Sequence, residues 1–412
     1  MKHTGDTLSV LGYGCMRLPE KAGRIDEERA RRQLLSAIEG GVNYVDTAMP
    51  YHLGASEPFI GRALQGGWRE KVKIATKMPH WNVHAREDMD RFLSVQLANL
   101  QTDHIDYYLI HNLQARSWKK LKDLGVSDFI SAALGDGRIR SIGFSYHGGK
   151  DDFRAIVDDY PWQFCQLQIN YLDTENQAGL EGMRYAAGKG LGVIAMEPLR
   201  GGTLARPASV QIQPLWDTAQ VRRSPAEWAL RWVWDLPEVT LALSGMNEEQ
   251  HIEENLRIAG EALPCSLTSV ERSIVERVSA AWRKSLKVGC TGCRYCMPCP
   301  SGVLIPGAFQ EYNLAFLGGP RTMETPRMRY LVQSSGLFTG TAPGFASQCT
   351  ECGACVGKCP QHLQIPTLMK DVKRKFEGPG TSFLLFGIKG FLRFDGWRTR
   401  RKAARQSSAA RA

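Results

Sequence analysis

Three short runs within residues 42–111 decide the fold: V-N-Y-V-D at 42–46, V-K-I-A-T-K at 72–77 and I-D-Y-Y-L-I-H at 105–111. Amphipathic helical patterns lie between them, and the alternation continues through β-branched runs at 139–145, 163–170, 191–196 and 239–245. With an N-terminal segment L-G-Y-G-C-M-R-L-P at 11–19, the chain has eight strand-then-helix units in about 250 residues. Such alternation requires a parallel sheet, and the number of units favours a closed (β/α)8 barrel.

The main alternative for this pattern is an open, doubly wound sheet. No strand run, however, leads into the G-x-G-x-x-G loop that is typical of dinucleotide-binding sheets. We therefore predict an α/β fold with a TIM barrel over residues 1–262, with helices at Glu27 to Glu39, Arg86 to Leu100 and Pro225 to Trp234. A hydrophobic content of 43% is enough for a sizeable core.

Eight of the eleven cysteines form two similar motifs, C-T-G-C-R-Y-C-M-P-C-P at 290–300 and C-T-E-C-G-A-C-V-G-K-C-P at 349–360. Three thiolates at i, i+3 and i+6 can wrap one iron–sulfur cube, while the Cys-Pro cysteine reaches the other cube, as in two-cluster ferredoxins. The ligands predicted for the first 4Fe–4S cluster are Cys290, Cys293, Cys296 and Cys359. Those predicted for the second cluster are Cys349, Cys352, Cys355 and Cys299.

The alternative for these motifs is a pair of zinc sites. Structural zinc usually takes its ligands as separated C-x2-C pairs, whereas each motif here is continuous. Because each such cluster passes one electron at a time, we predict that the chain moves single electrons and exchanges them with a one-electron carrier protein. Residues 287–376, with helical patterns at Gln310 to Phe316 and Arg327 to Gln333, are predicted to form a small, mainly α-helical ferredoxin-like domain. Residues 263–286, with one helix at 266–285, are predicted to link it to the barrel.

Residues 377–412 form a basic, partly apolar C-terminal tail. From Lys389 onward it has eight Lys or Arg residues against Asp395, and it supplies most of the net charge of +10. We interpret it as a solvated tail whose apolar half packs on its own domain; contact with an anionic membrane surface or an acidic partner is the alternative. No recognition motif for nucleic acid accompanies the charge, so nucleic acid is not an expected partner.

The other three cysteines, Cys15, Cys165 and Cys265, are scattered through the chain. This distribution argues against a secreted disulfide framework and for a reducing compartment. The N-terminus shows no long apolar run of the kind that a signal peptide needs. A cytoplasmic location is therefore expected.

Four polar residues fall where a barrel places its working groups, at the C-terminal ends of strands. Asp46, Lys77 and His111 end three of the runs, and Tyr51 lies five residues after Asp46. This set suits reduction of a small-molecule carbonyl. Tyr51 would donate a proton to the developing alkoxide, and Lys77, paired with Asp46, would lower the phenol pKa from about 10. His111 would orient the carbonyl oxygen. Each residue alone has a structural explanation, but the four together favour catalysis.

The same segments carry a family resemblance. The stretch V-D-T-A-M-P-Y-H-L-G-A-S-E-P-F-I-G-R-A-L at 45–64, with A-T-K-M-P at 75–79 and D-Y-Y-L-I-H at 106–111, strongly resembles the aldo/keto reductase superfamily. The resemblance covers the whole barrel and includes the Asp-Tyr-Lys-His tetrad of that superfamily. With its cysteine motifs, the entire chain resembles the iron–sulfur-containing aldo/keto reductase subfamily. The spacing of the predicted clusters resembles an α-helical ferredoxin.

The resemblance implies an NAD(P)H site, at which this sequence departs from the family pattern. The residues implied to contact the cofactor are Ser145, Gln166, Met196, Glu254 and Asn255. Tyr146 stands where the family has the carboxamide-binding Asn, and Met196 stands where it has a stacking aromatic. Gly245 and His251 replace the Lys and Arg that bind the 2′-phosphate of NADPH. No flavin fingerprint is recognisable, although the altered site leaves room for another adapter cofactor.

Three functions follow from these features. The first is a reductase of the aldo/keto reductase type, with electrons relayed through the two clusters. The second is an NAD(P)H-dependent carbonyl reductase whose clusters are structural or redox-sensing. The third is an electron-transfer or docking subunit without barrel catalysis. The intact tetrad counts against the third, and we favour the first.

Overall fold

The computed structural model describes residues 1, 3–316, 325–336 and 342–381. Residues 382–412, which contain the apolar and basic stretch of the tail predicted for 377–412, lie outside the described residues. The described residues form two compact units, one within 1–207 and 215–279 and the other within 208–214 and 280–381. The boundaries at 262 and 286 stay predictions.

The first unit is built on a closed barrel of eight parallel strands, as predicted. The strands are β1 Leu11–Gly14, β2 Tyr44–Asp46, β3 Lys73–Met78, β4 Tyr107–Ile110, β5 Ile142–Tyr146, β6 Phe164–Gln168, β7 Gly192–Met196 and β8 Val239–Ser244. Each strand pairs with its neighbours in sequence, and β1 closes the barrel by pairing with β8. A small antiparallel hairpin, Glu20–Lys21 with Arg24–Ile25, lies outside it.

Helices follow the strands of the barrel. They are α1 Glu27–Glu39, α2 Ser56–Ala63, α3 Arg86–Leu100, α4 Ala115–Asp123, α5 Val126–Gly135, α6 Lys150–Asp159, α7 Gly179–Gly188, α8 Pro225–Trp234 and α9 Glu249–Gly260. The three helices predicted in this unit are confirmed with the same ends. Two strand-to-strand connections contain two helices rather than one. Helices α4 and α5 lie between β4 and β5, and a short helix, Gln213–Trp216, precedes α8 between β7 and β8.

The barrel has two apolar layers, because successive strand residues point to opposite faces. Outward-facing side chains such as Val45, Tyr108 and Phe144 pack against the helices. The interior is filled by a separate cluster that includes Tyr44, Tyr107 and other large residues. Polar side chains at the carboxyl ends of the strands therefore lie above a packed plug rather than beside a pore.

A single helix, α10 Ser269–Ser285, continues from the barrel unit into the second unit. The sequence pattern predicted its start at residue 266, three residues too early. The difference has a local cause, because Thr268 Oγ1 accepts a hydrogen bond from Glu271 N at 3.2 Å and Glu271 Oε2 accepts from Thr268 N at 2.8 Å. This capping box fixes the first turn after Thr268.

The described part of the second unit contains three further helices, α11 Ile305–Leu314, α12 Pro326–Ser335 and α13 Ile365–Phe376. Its core includes Phe309, Tyr330 and Phe376, and the last two rings stack with centroids 4.8 Å apart. The helices predicted at 310–316 and 327–333 exist, although α11 begins five residues earlier, at Ile305 with Pro306 in its first turn. Across the part of the chain that is described, no helix is both long and apolar enough to cross a bilayer.

The contact between α2 and α3 depends on a glycine. A Cβ on Gly61 would lie 2.8 Å from the Leu100 carbonyl carbon and closer still to the Asn99 carbonyl oxygen. We expect Gly61→Ala to destabilise the barrel by about 1–3 kcal/mol through overpacking. The thermal midpoint, followed by tryptophan fluorescence, measures the effect.

Gly135→Ala is the matched control, since a Cβ on this helical residue meets no other described part of the chain within 4 Å. We expect it to be neutral or slightly stabilising. Equal midpoints for the two variants would contradict the close helix contact.

Candidate active site and cluster cages

The carboxyl ends of β2 and β3 hold a buried ion pair. Lys77 Nζ donates hydrogen bonds to Asp46 Oδ1 at 2.7 Å, to Asp46 Oδ2 at 2.8 Å and to the Thr47 carbonyl oxygen at 2.8 Å. The Lys77 side chain is only 1% exposed. Three acceptors therefore surround the ammonium, which is the arrangement that a buried cation needs.

Tyr51 and His111 lie beside this pair. The Lys77 ammonium is 5.0 Å from the centroid of the Tyr51 ring, and the rings of Tyr51 and His111 meet edge to face with centroids 6.1 Å apart. The four residues predicted from the strand ends are thus brought together. Their catalytic roles stay predictions.

The turn that carries Tyr51 is strained. His52 and Leu53 have φ angles of 51° and 55°, which non-glycine residues seldom adopt. The His52 ring anchors the turn, because its Nε2 accepts from Leu18 N at 3.2 Å and its Nδ1 lies 3.1 Å from a Glu20 carboxylate oxygen. This anchor holds the tyrosine ring next to the lysine.

Burial and charge set the protonation of the site. Burial lowers the pKa of His111 well below its usual range, and the Lys77 ammonium, His147 and His80 lower it further. His111 is therefore a neutral imidazole at neutral pH, suited to hydrogen-bond a carbonyl oxygen. Burial raises the pKa of Asp46, and the Lys77 ammonium opposes that rise. Trp81, 43% exposed, lies over His111 with ring centroids 5.2 Å apart.

Two residues of the implied nicotinamide site lie side by side on adjacent strands. Ser145 on β5 and Gln166 on β6 are direct partners in the sheet register. Ser145 Oγ accepts from Asn112 N at 2.8 Å, and Gln166 Nε2 lies 3.6 Å from Met196 Sδ. Gln166 Oε1 is buried, and no described residue gives it a hydrogen bond. A buried acceptor of this kind fits an amide donor from a bound molecule.

Tyr146 points away from this position. Strand alternation turns its ring outward, where it packs on Phe153 with centroids 5.1 Å apart, and its hydroxyl donates to the Gly149 carbonyl oxygen at 2.5 Å. The tyrosine that replaces the family asparagine is therefore part of the outer core. It offers no group to a ligand above the barrel.

The residues implied near the adenosine end are held by other side chains. Glu254 Oε1 accepts from Ser224 Oγ at 2.5 Å, and Asn255 Nδ2 donates to Ser244 Oγ at 3.1 Å. At Gly245, where the family pattern has a lysine, the Arg17 side chain packs instead, and its Cβ lies 3.3 Å from the place of a Gly245 Cβ. This arginine, distant in sequence, was missed by the sequence analysis.

A second polar feature that the sequence analysis missed follows β6 and β7. Asp173 Oδ2 accepts from Arg200 Nε at 2.9 Å and from Gln168 Nε2 at 2.8 Å. Gln177 connects Gln168 to His147, through contacts of 2.8 and 3.1 Å. Except for Gln168, which ends β6, these residues lie in irregular segments, where the sequence shows no helix or strand period. Their positions close to strand ends were the one signal in the sequence that could have indicated them.

In the second unit the cysteines of the two motifs line two hollows. We call them the first and second cages. The first cage is lined by Cys290, Cys293, Cys296 and Cys359. The second cage is lined by Cys299, Cys349, Cys352 and Cys355. This is the crossed grouping predicted from the spacing. Cluster binding by these residues stays a prediction.

The two cages repeat each other locally. Ile305 and Ile365, which begin α11 and α13, both line each hollow and so lie between them. Among the described residues, no three Cys, His, Asp or Glu side chains come close enough to hold a single metal ion. The donor set therefore fits a multi-atom cluster with thiolate corners better than a zinc ion.

The fold and these two sites define an oxidoreductase barrel with an iron–sulfur domain. The model of the "Aldo/keto reductase family" matches residues 10–269, and that of the "4Fe-4S dicluster domain" matches residues 289–363. The chain belongs to the aldo/keto reductase family and carries a 4Fe–4S dicluster domain at its C-terminal side.

Relatives agree with this assignment. "Uncharacterized oxidoreductase YrpG" of Bacillus subtilis is 27% identical over 295 residues, 62% of this chain and 88% of its own length. "L-galactose dehydrogenase" of Arabidopsis thaliana is 25% identical over 299 residues, 67% and 92%. A holo aldo-keto reductase structure from Bacillus halodurans superposes with a TM-score of 0.54 at 25% identity, covering 66% of this chain and 92% of its own.

The low pKa of His111 predicts how stability changes with pH. The unfolded chain binds a proton at this histidine near pH 6.5, whereas the folded protein binds it only at a much lower pH. The free energy of unfolding should therefore fall as the pH drops below 6.5, by up to about 1.4 kcal/mol per pH unit for this one group. His111→Gln should reduce that slope in urea titrations between pH 7 and 5.

His3→Gln, which removes an exposed histidine, is the control and should leave the slope unchanged. A wild-type slope that persists in His111→Gln would show that His111 is not buried in its neutral form.

Proposed function

We propose that the chain reduces a carbonyl group of a small molecule above the barrel, with Tyr51 as the proton donor and electrons relayed through two 4Fe–4S clusters. The observation that supports this most is the buried Lys77–Asp46 pair, with its ammonium 5.0 Å from the Tyr51 ring centroid. The neutral His111 ring also meets the Tyr51 ring, with centroids 6.1 Å apart.

Each side chain has a distinct part in this proposal. The Lys77 ammonium stabilises the phenolate that forms as Tyr51 gives its proton to the carbonyl oxygen. His111 donates a hydrogen bond to that oxygen and fixes its position. Asp46 holds the Lys77 side chain in place through two hydrogen bonds. Two electrons and two protons convert the carbonyl to an alcohol. Tyr51 supplies the proton on oxygen, and solvent supplies the proton on carbon and returns a proton to Tyr51.

The cysteines of the first and second cages would hold the two clusters. Each bound cluster supplies one electron at a time. Two clusters together store two electrons, the number that one carbonyl reduction consumes. A one-electron carrier protein is the proposed source, because one-electron centres exchange electrons readily with such carriers.

Tyr51→Phe tests the role of the tyrosine. It removes the phenolic proton while keeping the ring, so we expect carbonyl turnover to fall by about 10²–10⁴-fold. Reduction of the clusters by a reduced carrier should proceed at the wild-type rate. Stopped-flow absorbance measures the second rate, and product analysis measures the first.

Tyr185→Phe, which removes a hydroxyl bound to Asp158 away from the tetrad, is the control and should retain full turnover. Unchanged turnover in Tyr51→Phe would refute the proposed role of the tyrosine. A wild-type chain that exchanges electrons with the carrier but turns over no carbonyl would refute the proposal and favour a docking subunit without barrel catalysis.

A second candidate is an NAD(P)H-dependent reductase, and the unpartnered Gln166 Oε1 favours it. Together with Ser145 it could hold a nicotinamide carboxamide, and Met196 could pack on the ring. A relative named "Aldo-keto reductase yakc [NADP(+)]" from Schizosaccharomyces pombe is 26% identical over 210 residues, 48% of this chain and 60% of its own length. NADPH or NADH would then be the electron source.

Gln166→Leu tests the second candidate. Loss of the amide should weaken binding of NADH and NADPH about tenfold or more, since a buried donor on the ligand is left unpaired. Fluorescence titration of the nucleotides measures the affinities.

Gln65→Leu, at an exposed position, is the control and should bind as the wild type does. Equal affinity in Gln166→Leu, or no binding of either nucleotide by the wild type, would refute the second candidate.

A further inference from the structure

The two cysteine motifs are equivalent around their first three cysteines and again from the Cys-Pro cysteine onward, with one extra residue in the second motif between Cys355 and Cys359. Their backbone hydrogen bonds follow this equivalence. Met297 N donates to the Arg294 carbonyl oxygen at 2.9 Å, and Val356 N donates to the Gly353 carbonyl oxygen at 2.9 Å. The phrases that follow repeat as well, since Gly302 N bonds to Cys299 O at 2.9 Å and His362 N to Cys359 O at 3.0 Å. Arg294 and Gly353 therefore occupy the same place in the two halves.

Three pairs of equivalent residues have a left-handed backbone, and in each pair one member is glycine. The pairs, with their φ angles, are Gly292 (70°) with Glu351 (59°), Arg294 (67°) with Gly353 (73°) and Gly302 (75°) with His362 (52°). Glycine adopts this conformation without strain, whereas a residue with a Cβ atom is strained in it. A side chain at such a position needs a reason.

Only one of the three non-glycine members lines a cage. Arg294 lines the first cage, whereas Glu351 and His362 line neither hollow. The Glu351 carboxylate is paired with Lys370 at 2.8 Å, and both side chains are exposed. The place of Arg294 in the second cage is occupied by Gly353, which has no charge. The first cage therefore has an exposed arginine among its lining residues, whereas the described lining of the second cage has no Lys or Arg.

We propose that Arg294 is a positioning residue that raises the reduction potential of the cluster in the first cage, without acting on the cluster in the second. The proposal rests on the proposed function, because it requires clusters in both cages. A cluster that takes one electron from a reductant gains one unit of negative charge, and no bond is made or broken. A positive charge carried by a residue that lines the cage stabilises the reduced form more than the oxidised form.

The test is an anaerobic redox titration of the reconstituted full-length chain, with dithionite as reductant and electron paramagnetic resonance as the readout. In Arg294→Gln and Arg294→Gly, one of the two midpoints should move to a lower potential while the other stays at its wild-type value. Arg294→Lys, which keeps the charge, should stay close to wild type. Gly353→Arg, which places the cation in the second cage, should raise the other midpoint.

Two controls separate charge from folding. Arg374→Gln removes an exposed cation from the same unit that lines neither cage, and should leave both midpoints unchanged. Arg294→Gly suits the left-handed backbone, so its thermal midpoint should not fall even though its potential does. If the role of Arg294 were purely structural, Arg294→Gly would lower the thermal midpoint and leave the reduction potential unchanged.

Several outcomes overturn the proposal. They are midpoints that do not move in Arg294→Gln, midpoints that move together, or an Arg294→Lys shift as large as that of Arg294→Gln. Clusters that load normally with unshifted midpoints refute this inference alone. A chain that binds no iron–sulfur cluster refutes the proposed function and this inference with it.

Discussion

The buried Lys77–Asp46 pair is the interaction on which the candidate site depends. An ammonium this deep in a barrel is tolerated only because two carboxylate oxygens and the Thr47 carbonyl surround it. Removing one partner of such a pair typically costs about 3–5 kcal/mol, since the other charge is left alone. The Lys77 ammonium also helps to lower the pKa of His111, and it lies 5.0 Å from the centroid of the Tyr51 ring. This one ion pair therefore acts on both neighbouring residues.

The second unit depends on a different feature, which is the close local similarity of its two cysteine motifs. Ile305 and Ile365 each begin a helix and each line both cages, so the two hollows share an apolar wall. Helix N-termini with their free N–H groups favour nearby negative charge, which suits thiolate-bound clusters. Two otherwise similar cages can then differ in their charge through single substitutions, such as Arg294 in the first motif where the second motif has Gly353.

Much of the fold and of the tetrad was predictable because strand ends follow a simple period. Asp46, Lys77 and His111 each close a β-branched run, and parallel strands bring such ends to one face. The cysteine grouping was predictable because ligand spacing is local. Arg17 beside Gly245 and the hub at Asp173 were not, because they depend on contacts between irregular segments far apart in sequence. The start of α10 was missed through an unrecognised capping box at Thr268.

The measurement that tests the central claim most directly asks whether electrons stored on the clusters reach the barrel. Reconstituted protein would be reduced anaerobically, freed of reductant and mixed with a panel of small aldehydes and ketones in the absence of any nucleotide. The account predicts that at least one carbonyl removes the paramagnetic signal of the reduced clusters and yields one alcohol for every two electrons. A signal that persists with every carbonyl, while NADPH drives carbonyl reduction in the same protein, would contradict it.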